Sequence, residues 1–263
     1  MNARTRLAAD HALLLEAVRE AGAIALGFFR NGAKSWDKRH DDPVSEADIA
    51  VDMLLRERLQ GRRPDYGWLS EETPDDDRRL AVQRLWIVDP IDGTRAFLKG
   101  KAEFTVCAAL VEGGTPAAAA VFNPATDDFF DACAAGGARL NGRPIQASAR
   151  ETLAGARLLA SRRTFEHHDW LRLTPGAEFT DMSSIAYRMA KVANGDFDAA
   201  VSLGEKSDWD IAAADLILRE AGARCTTREG RAFRFNAKPA RHPSVLAAGP
   251  ALHPILIDML ARD

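Results

Sequence analysis

Residues 85–89, LWIVD, are apolar up to a terminal aspartate, and the PIDGT that follows cannot prolong the same element. A short, branched, apolar run of this kind predicts a buried strand. Pro90 fixes the backbone at the break. Asp92 sits three residues beyond Asp89, and Gly93–Thr94 begin a turn that can open a helix. Side chains at the carboxyl end of a buried strand face the crevice in which α/β proteins bind their ligands. The first expectation is therefore an α/β protein whose Asp89 and Asp92 look into a binding cleft.

The flanking sequence agrees with that class. Leu13, Leu14, Val18, Ile24 and Phe28 recur at helical intervals and predict an amphipathic helix over 5–30. In HDDPVSEAD, Pro43 disfavours helix at Asp42. Ser45 ahead of Glu46 and Asp48 predicts the cap of a second helix running to about Leu59, with Ile49, Met53 and Leu55 among its buried positions. FTVCAALV, AAAAVFNP, DDFFDACA and GGARLNGRP are separated by turn signals and predict a meander of strands. Beyond about residue 150, strands and helices alternate. ARLLAS, DFDAAVSL and SVLAAG read as strands; 164–173, SSIAYRMAKVANG, WDIAAADLILREAGA and HPILIDMLAR read as helices. The expected organisation is an α+β N-terminal half, 1–150, packed tightly on an α/β C-terminal half, 151–263, because no flexible linker parts them.

Composition narrows the function classes. The net charge is -3 and the pI near 6.1, which argues against a general nucleic-acid binder. Three cysteines, far apart and without CxxC spacing, argue against a disulfide framework or a cysteine-rich zinc site. No segment is long and apolar enough to span a bilayer. The N-terminal stretch lacks the apolar block of a secretory signal. A cytoplasmic protein with no membrane partner is expected.

Acidic residues cluster at Asp41–Asp42 with Glu46 and Asp48, at Glu71–Glu72, at Asp89 with Asp92, and at Asp208 with Asp210. A lone acid after a strand is a turn former or a helix cap. Several carboxylates brought together raise one another's pKa, and a divalent cation removes that cost. Without histidine or cysteine in any cluster, the oxygen donors suit magnesium, manganese or calcium rather than zinc. Glycine at the opening of a helix lets a phosphate approach backbone N–H groups. Carboxylates for metal beside a phosphate cradle point to metal-assisted phosphoryl chemistry, in which paired ions roughly 3.5–4 Å apart hold the attacking and leaving oxygens. No GxxxxGK[ST] loop is present, and water is the expected nucleophile.

In order along the chain, DPVSEAD at 42–48, SEET at 70–73, WIVDPIDGT at 86–94 and WDIAAAD at 209–215 resemble the motifs of the inositol monophosphatase superfamily. The resemblance implies a layered αβαβα sandwich, a homodimer, and a site lying between the two halves. It implies that Glu71, Asp89 and the Ile91 carbonyl bind one magnesium, and that Asp89, Asp92 and Asp210 bind a second. Glu71 would help hold a third through water. It also implies that Asp42 and Thr94 form the hydrogen-bonded pair that orients and deprotonates the attacking water. The N–H groups of Gly93 and Thr94 would hold the phosphate, and the second ion would stabilise the leaving alkoxide.

DGTRAFLKGKAEFTVCAAL at 92–110 and ASRR at 160–163 resemble the 3'(2'),5'-bisphosphate nucleotidase branch. Inositol phosphatases carry a ring-binding glutamate where this chain has Ser202, with Glu205 three residues on. The expected substrate is a small phosphorylated molecule, 3'-phosphoadenosine 5'-phosphate. Ser161, Arg162 and Arg188 are expected to contact it, the arginines by bidentate pairing to the second phosphate. Inositol 1-phosphate, histidinol phosphate and fructose bisphosphate are the alternatives within the class, and a metal-binding scaffold without activity is the alternative outside it. Trp36, Trp68, Trp86 and Trp170 are expected to pack in cores. Trp209 is expected to brace Asp210. Asp41, Asp48 and Asp215 are expected to cap helices or turns, and Glu72 and Asp208 to support the ligands.

Overall fold

A computed structural model of the chain describes residues 2–39, 42–161, 164, 174 and 176–261. The strand expected at 85–89 is β4 (Arg84–Asp92), buried along its whole length. It lies in a seven-stranded sheet of order β3-β4-β5-β6-β7-β8-β9. Its neighbours are β3 (Gly67–Ser70), β5 (Thr105–Glu112), β6 (Thr115–Asn123), β7 (Asp128–Cys133), β8 (Ala138–Leu140) and β9 (Arg143–Pro144). β3 runs parallel to β4, and every later neighbour is antiparallel, so 105–144 is the expected meander.

Period-two alternation sends each strand's side chains to two different cores. Trp86 and Val88 pack under α1 (Ala3–Asn31) and α2 (Glu46–Arg62). Leu85 and Ile87 pack on the opposite face against α4 (Ile185–Ala193) and α5 (Asp208–Glu220). α1 lies close on β6, whose middle is the alanine run 117–120; a Cβ at Gly22 would stand 2.3 Å from the Phe122 ring.

The second sheet has five strands in the order β11-β10-β12-β16-β14. They are β10 (Arg157–Ala160), β11 (Glu178–Asp181), β12 (Ala199–Ser202), β14 (Arg224–Thr226) and β16 (Val245–Ala248). Leu159, Ala200, Val245 and Ala247 face α4 and α5. Leu158, Val201, Leu246 and Ala248 face the last helix, α6 (Leu252–Leu260). The layers thus run helices, sheet, helices, sheet, helix, the expected αβαβα sandwich. Two short antiparallel ribbons stand apart from the sheets: β1 (Ser35–Arg39) with β2 (Asp42–Ser45), and β13 (Lys206–Ser207) with β15 (Arg241–His242).

Several expectations change. Met53 is 67% exposed on the outer face of α2, not buried, and Trp36 is 49% exposed on β1 rather than in a core. Trp68 and Trp86 are buried as expected. Asp215 caps nothing; it lies within α5, paired with Arg219 one turn on. Nearly all of the helix expected over 164–173, with Trp170, and also Asp41, lie outside the described residues. Among the described residues no helix is long and apolar enough to cross a membrane.

Candidate active site

A regular strand would point Asp89 and Asp92, an odd number of residues apart, to opposite faces. The register with β5 slips between them, so Asp89 stands opposite Cys107 and Asp92 opposite Thr105. This irregularity re-aims the chain and delivers both carboxylates to one cleft of about 420 Å³. Asp42, Glu71, Ile91, Gly93, Thr94 and Asp210 line the same cleft, as do Ser183, Arg95 and Lys206. Residues from the first third and the last fifth of the chain therefore meet there.

Each acid is held by the element that carries it. Asp210 is the third residue of α5, and its Oδ2 accepts from the Ser207 N–H at 2.6 Å in a capping box. Asp92 Oδ2 accepts from Ser184 Oγ at 2.5 Å and from the Ala186 N–H at 2.6 Å, at the start of α4. Asp89 differs: its Oδ1 is buried and has no hydrogen-bond partner among the described residues. Oxygens of Asp89, Asp92 and Asp210 all lie within 4.8 Å of one another. Oxygens facing each other across an octahedral magnesium stand about 4.2 Å apart, twice its 2.0–2.1 Å bond. The all-oxygen donor set and the orphaned carboxylate oxygen fit a hard divalent cation.

Electrostatics point the same way. Burial, then Glu71, Asp92 and Asp210 in turn, push the Asp89 carboxyl well above the usual carboxylate range. Burial raises Asp92 as well. It pushes Asp210 up to about 7 against the opposing charge of Lys206. Glu71 lies at the edge of this group. Its Oε1 accepts from Lys38 Nζ at 3.1 Å, and the same ammonium donates to Glu72 Oε1 at 2.6 Å. Burial raises both glutamates in spite of that lysine, Glu72 to about 7.

Glycine at position 93 is a steric necessity. Its φ is +98°, and a Cβ there would meet the Glu103 carbonyl oxygen at 2.7 Å. The residue tips the chain from β4 into α3 (Thr94–Leu98). Thr94 Oγ1 lies 3.0 Å from Asp48 Oδ1 and 3.0 Å from the Ile91 carbonyl oxygen; with one proton it donates to one of them at a time.

That contact corrects the expected pairing of Thr94 with Asp42. Asp42, in β2, lines the cleft but makes no hydrogen bond to Thr94 among the described residues. Asp48 reaches Thr94 because it is the third residue of α2. Its Oδ2 takes the Ser45 N–H and Oγ at 2.9 and 2.6 Å, which leaves Oδ1 turned toward the cleft. The residue is a cap, as expected, and it also supports the cleft from behind through the cleft-lining Thr94.

The second correction concerns Arg188. It is no arm reaching into the cleft but is 3% exposed inside α4, and it does not line the cleft. Its Nε donates to the Ser184 carbonyl at 3.3 Å and its Nη1 to the Val201 carbonyl at 3.0 Å. Burial lowers its pKa to about 10. Ser161 sits past the end of β10, outside the cleft lining, with its Oγ 3.0 Å from Thr164 Oγ1. Arg162 lies outside the described residues. Asp208 is fully buried two residues before Asp210 and accepts from the Asn236 N–H and from His242 Nε2. Trp209 packs against the central core. Lys38, Lys206 and the serines at 183–184 stand in no quoted motif that would single them out, and Arg95, inside the stretch 92–110, carries no signal of its own.

Comparison with known proteins agrees with this geometry. The profile described as the inositol monophosphatase family matches residues 8–262. The chain is 35% identical over 229 residues to the inositol-1-monophosphatase of Rhizobium meliloti, covering 84% of each. It is 31% identical over 227 residues to the 3'(2'),5'-bisphosphate nucleotidase CysQ of Salmonella typhimurium, covering 84% of this chain and 91% of that one. The solved inositol monophosphatase from Anabaena (Nostoc) sp. PCC 7120 superposes with a TM-score of 0.81 at 25% identity, over 98% of this chain and 97% of that one. The chain belongs to the inositol monophosphatase family of phosphoric monoester hydrolases.

Proposed function

We propose that the protein is a magnesium-dependent phosphatase that hydrolyses 3'-phosphoadenosine 5'-phosphate to AMP and phosphate. The observation that carries the metal-dependent reading is Asp89 Oδ1, a buried carboxylate oxygen without a partner, set among oxygens of Asp92 and Asp210. Glu71, Asp89, Asp92, Asp210 and the Ile91 carbonyl are the ligand set in this reading, for two ions and a third more loosely held. When bound, the ions supply the positive charge that activates water and stabilises the departing alkoxide.

The chain's own residues do the rest. Asp48 accepts the Thr94 hydroxyl proton, which turns the threonine lone pairs toward the attacking water so that Oγ1 takes its hydrogen bond. The N–H groups of Gly93 and Thr94 hold the phosphate, which can approach because position 93 has no side chain. Asp42 remains a cleft-lining acid.

The nucleotide reading is supported by what stands where an inositol enzyme would carry its glutamate. Ser202 is nearly buried at the end of β12, and Glu205 Oε1 is bound by Arg241 at 2.6 Å and does not line the cleft. Inositol 1-phosphate is the second reading, favoured by the 35% identity to the Rhizobium meliloti protein. The proposal includes a homodimer in the cytoplasm, where three unpaired cysteines are at home. The test is phosphate release with magnesium from the nucleotide, inositol 1-phosphate, histidinol phosphate and fructose bisphosphate. A kcat/KM for the nucleotide at least about tenfold above the others is expected. Faster turnover of inositol 1-phosphate would overturn the substrate assignment while leaving the phosphatase class intact.

A further inference from the structure

The cleft and its edge hold lysines in two different situations. Lys38 is spent on its own protein: its ammonium is bound to both Glu71 and Glu72. Lys206 lines the cleft together with Asp210, and among the described residues it forms no ion pair. Among the described residues its Nζ donates one hydrogen bond, 3.2 Å long, to the carbonyl of the adjacent Glu205.

The backbone under Lys206 is built to stay in place. Lys206 pairs with His242 and Ser207 with Arg241 in the β13–β15 ribbon. Immediately after the ribbon, the buried carboxylate of Asp208 accepts from His242 Nε2 at 2.8 Å and from the Asn236 N–H at 2.7 Å. Immediately before it, Glu205 is tied to Arg241 at 2.6 Å. The strand is clamped at both ends, and only the lysine side chain reaches the cleft.

Charge counting then gives the side chain a task. In the metal-free cleft the Lys206 charge acts on Asp92 and Asp210. Two divalent ions balance the four carboxylates of Glu71, Asp89, Asp92 and Asp210. Of the other charges lining the cleft, Asp42, Arg95 and Lys206, two are positive, and Lys206 is the one whose charge acts on Asp210, on the side where the leaving alcohol would sit in this reading. We propose that Lys206 is a specificity-determining residue that binds a second phosphate carried by that alcohol. This rests on the phosphatase reading above and replaces Arg188 in the role first assigned to it. The same charge disfavours an alcohol bearing an ammonium group.

The test compares 3'-phosphoadenosine 5'-phosphate with adenosine 3'-phosphate, which differ only in the second phosphate, with p-nitrophenyl phosphate as a common reference. Wild-type protein with magnesium should prefer the bisphosphate. Lys206→Gln should cut the ratio of the two nucleotide kcat/KM values by about 10- to 100-fold, the loss of one charged hydrogen bond. Lys206→Arg should restore part of it. An equal loss on all three substrates would overturn the proposal, because the lysine would then serve the transferred phosphoryl group or the ions. So would an unchanged ratio, or a wild-type enzyme indifferent to the second phosphate; these leave the phosphatase reading standing. Wild-type protein that hydrolyses none of the three but releases phosphate from inositol 1-phosphate, histidinol phosphate or fructose bisphosphate would overturn the proposal alone; release from none of the six would remove both.

Discussion

The carboxylate of Asp48 and the hydroxyl of Thr94 meet at 3.0 Å although 46 residues separate them in the chain. Asp48 reaches this position only as the capping residue of α2, so one side chain anchors a helix with one oxygen and orients the threonine with the other. Asp48→Asn keeps a polar cap and loses the proton acceptor. It is expected to lower kcat by about 10²–10⁴ with a small change in KM, the scale of general-base loss. Asp42→Asn should cost far less. Steady-state kinetics of the two variants decides between these acids.

Asp210 and Glu72 are pushed up to about 7, and Asp89 rises in the same direction, all by burial first. Ordinary carboxyls titrate near 4. Between those limits the folded metal-free chain holds more protons than the unfolded chain, so stability falls as pH rises through the window. In chelator, the melting temperature should climb as pH drops from about 8 to about 6. Saturating magnesium, which favours the ionised form, should raise the melting temperature at the upper end and flatten the slope. A profile in chelator that is already flat would count against the clustering of these acids.

Gly93 has no tolerable substitute. Gly93→Ala places a methyl group 2.7 Å from the Glu103 carbonyl at φ +98°. Strain of this kind costs about 1–3 kcal/mol, and relieving it moves α3. Both a lower melting temperature and a drop in kcat/KM are expected, read by thermal unfolding and by turnover.

Arg188 makes a contrasting case. Because its guanidinium holds the Ser184 and Val201 carbonyls inside the fold, Arg188→Met should lower stability by about 2–4 kcal/mol, the range for breaking a buried charged network. The preference for a bisphosphate over a monophosphate should survive. Denaturant unfolding and the nucleotide pair used for Lys206 separate the two effects.

Much of the scaffold follows from periodicity. β4, the meander, and α5 (expected over 209–223) lie where apolar patterning put them, because buried strands and amphipathic helices leave strong local signals. Asp89 and Asp92 are legible because acids that end an apolar strand are conspicuous, whereas Asp210 is singled out by the resemblance that WDIAAAD carries. The choice between Asp42 and Asp48 was not. Both stand in one acidic motif, and only the depth of the α2 cap decides which faces Thr94. Arg188 misled because a charge in a mostly apolar helix normally turns outward; here the carbonyls of Ser184 and Val201 take it in. The ribbons were missed because SWDKR and a two-residue strand carry no alternation to detect.

α4 and α5 are enclosed between the two sheets, and the residues that grip the cleft from the C-terminal side, Ser184 and Asp210, sit at their amino ends. The floor of the cleft therefore rests on helix ends packed between the two sheets, where a displacement would have to push those sheets apart. Part of the rim comes from the short ribbons, through Asp42 and Pro43 on β2 and Lys206 on β13. A scaffold divided this way can exchange the alcohol it accepts by rewriting a few rim side chains, without retuning the chemistry beneath them.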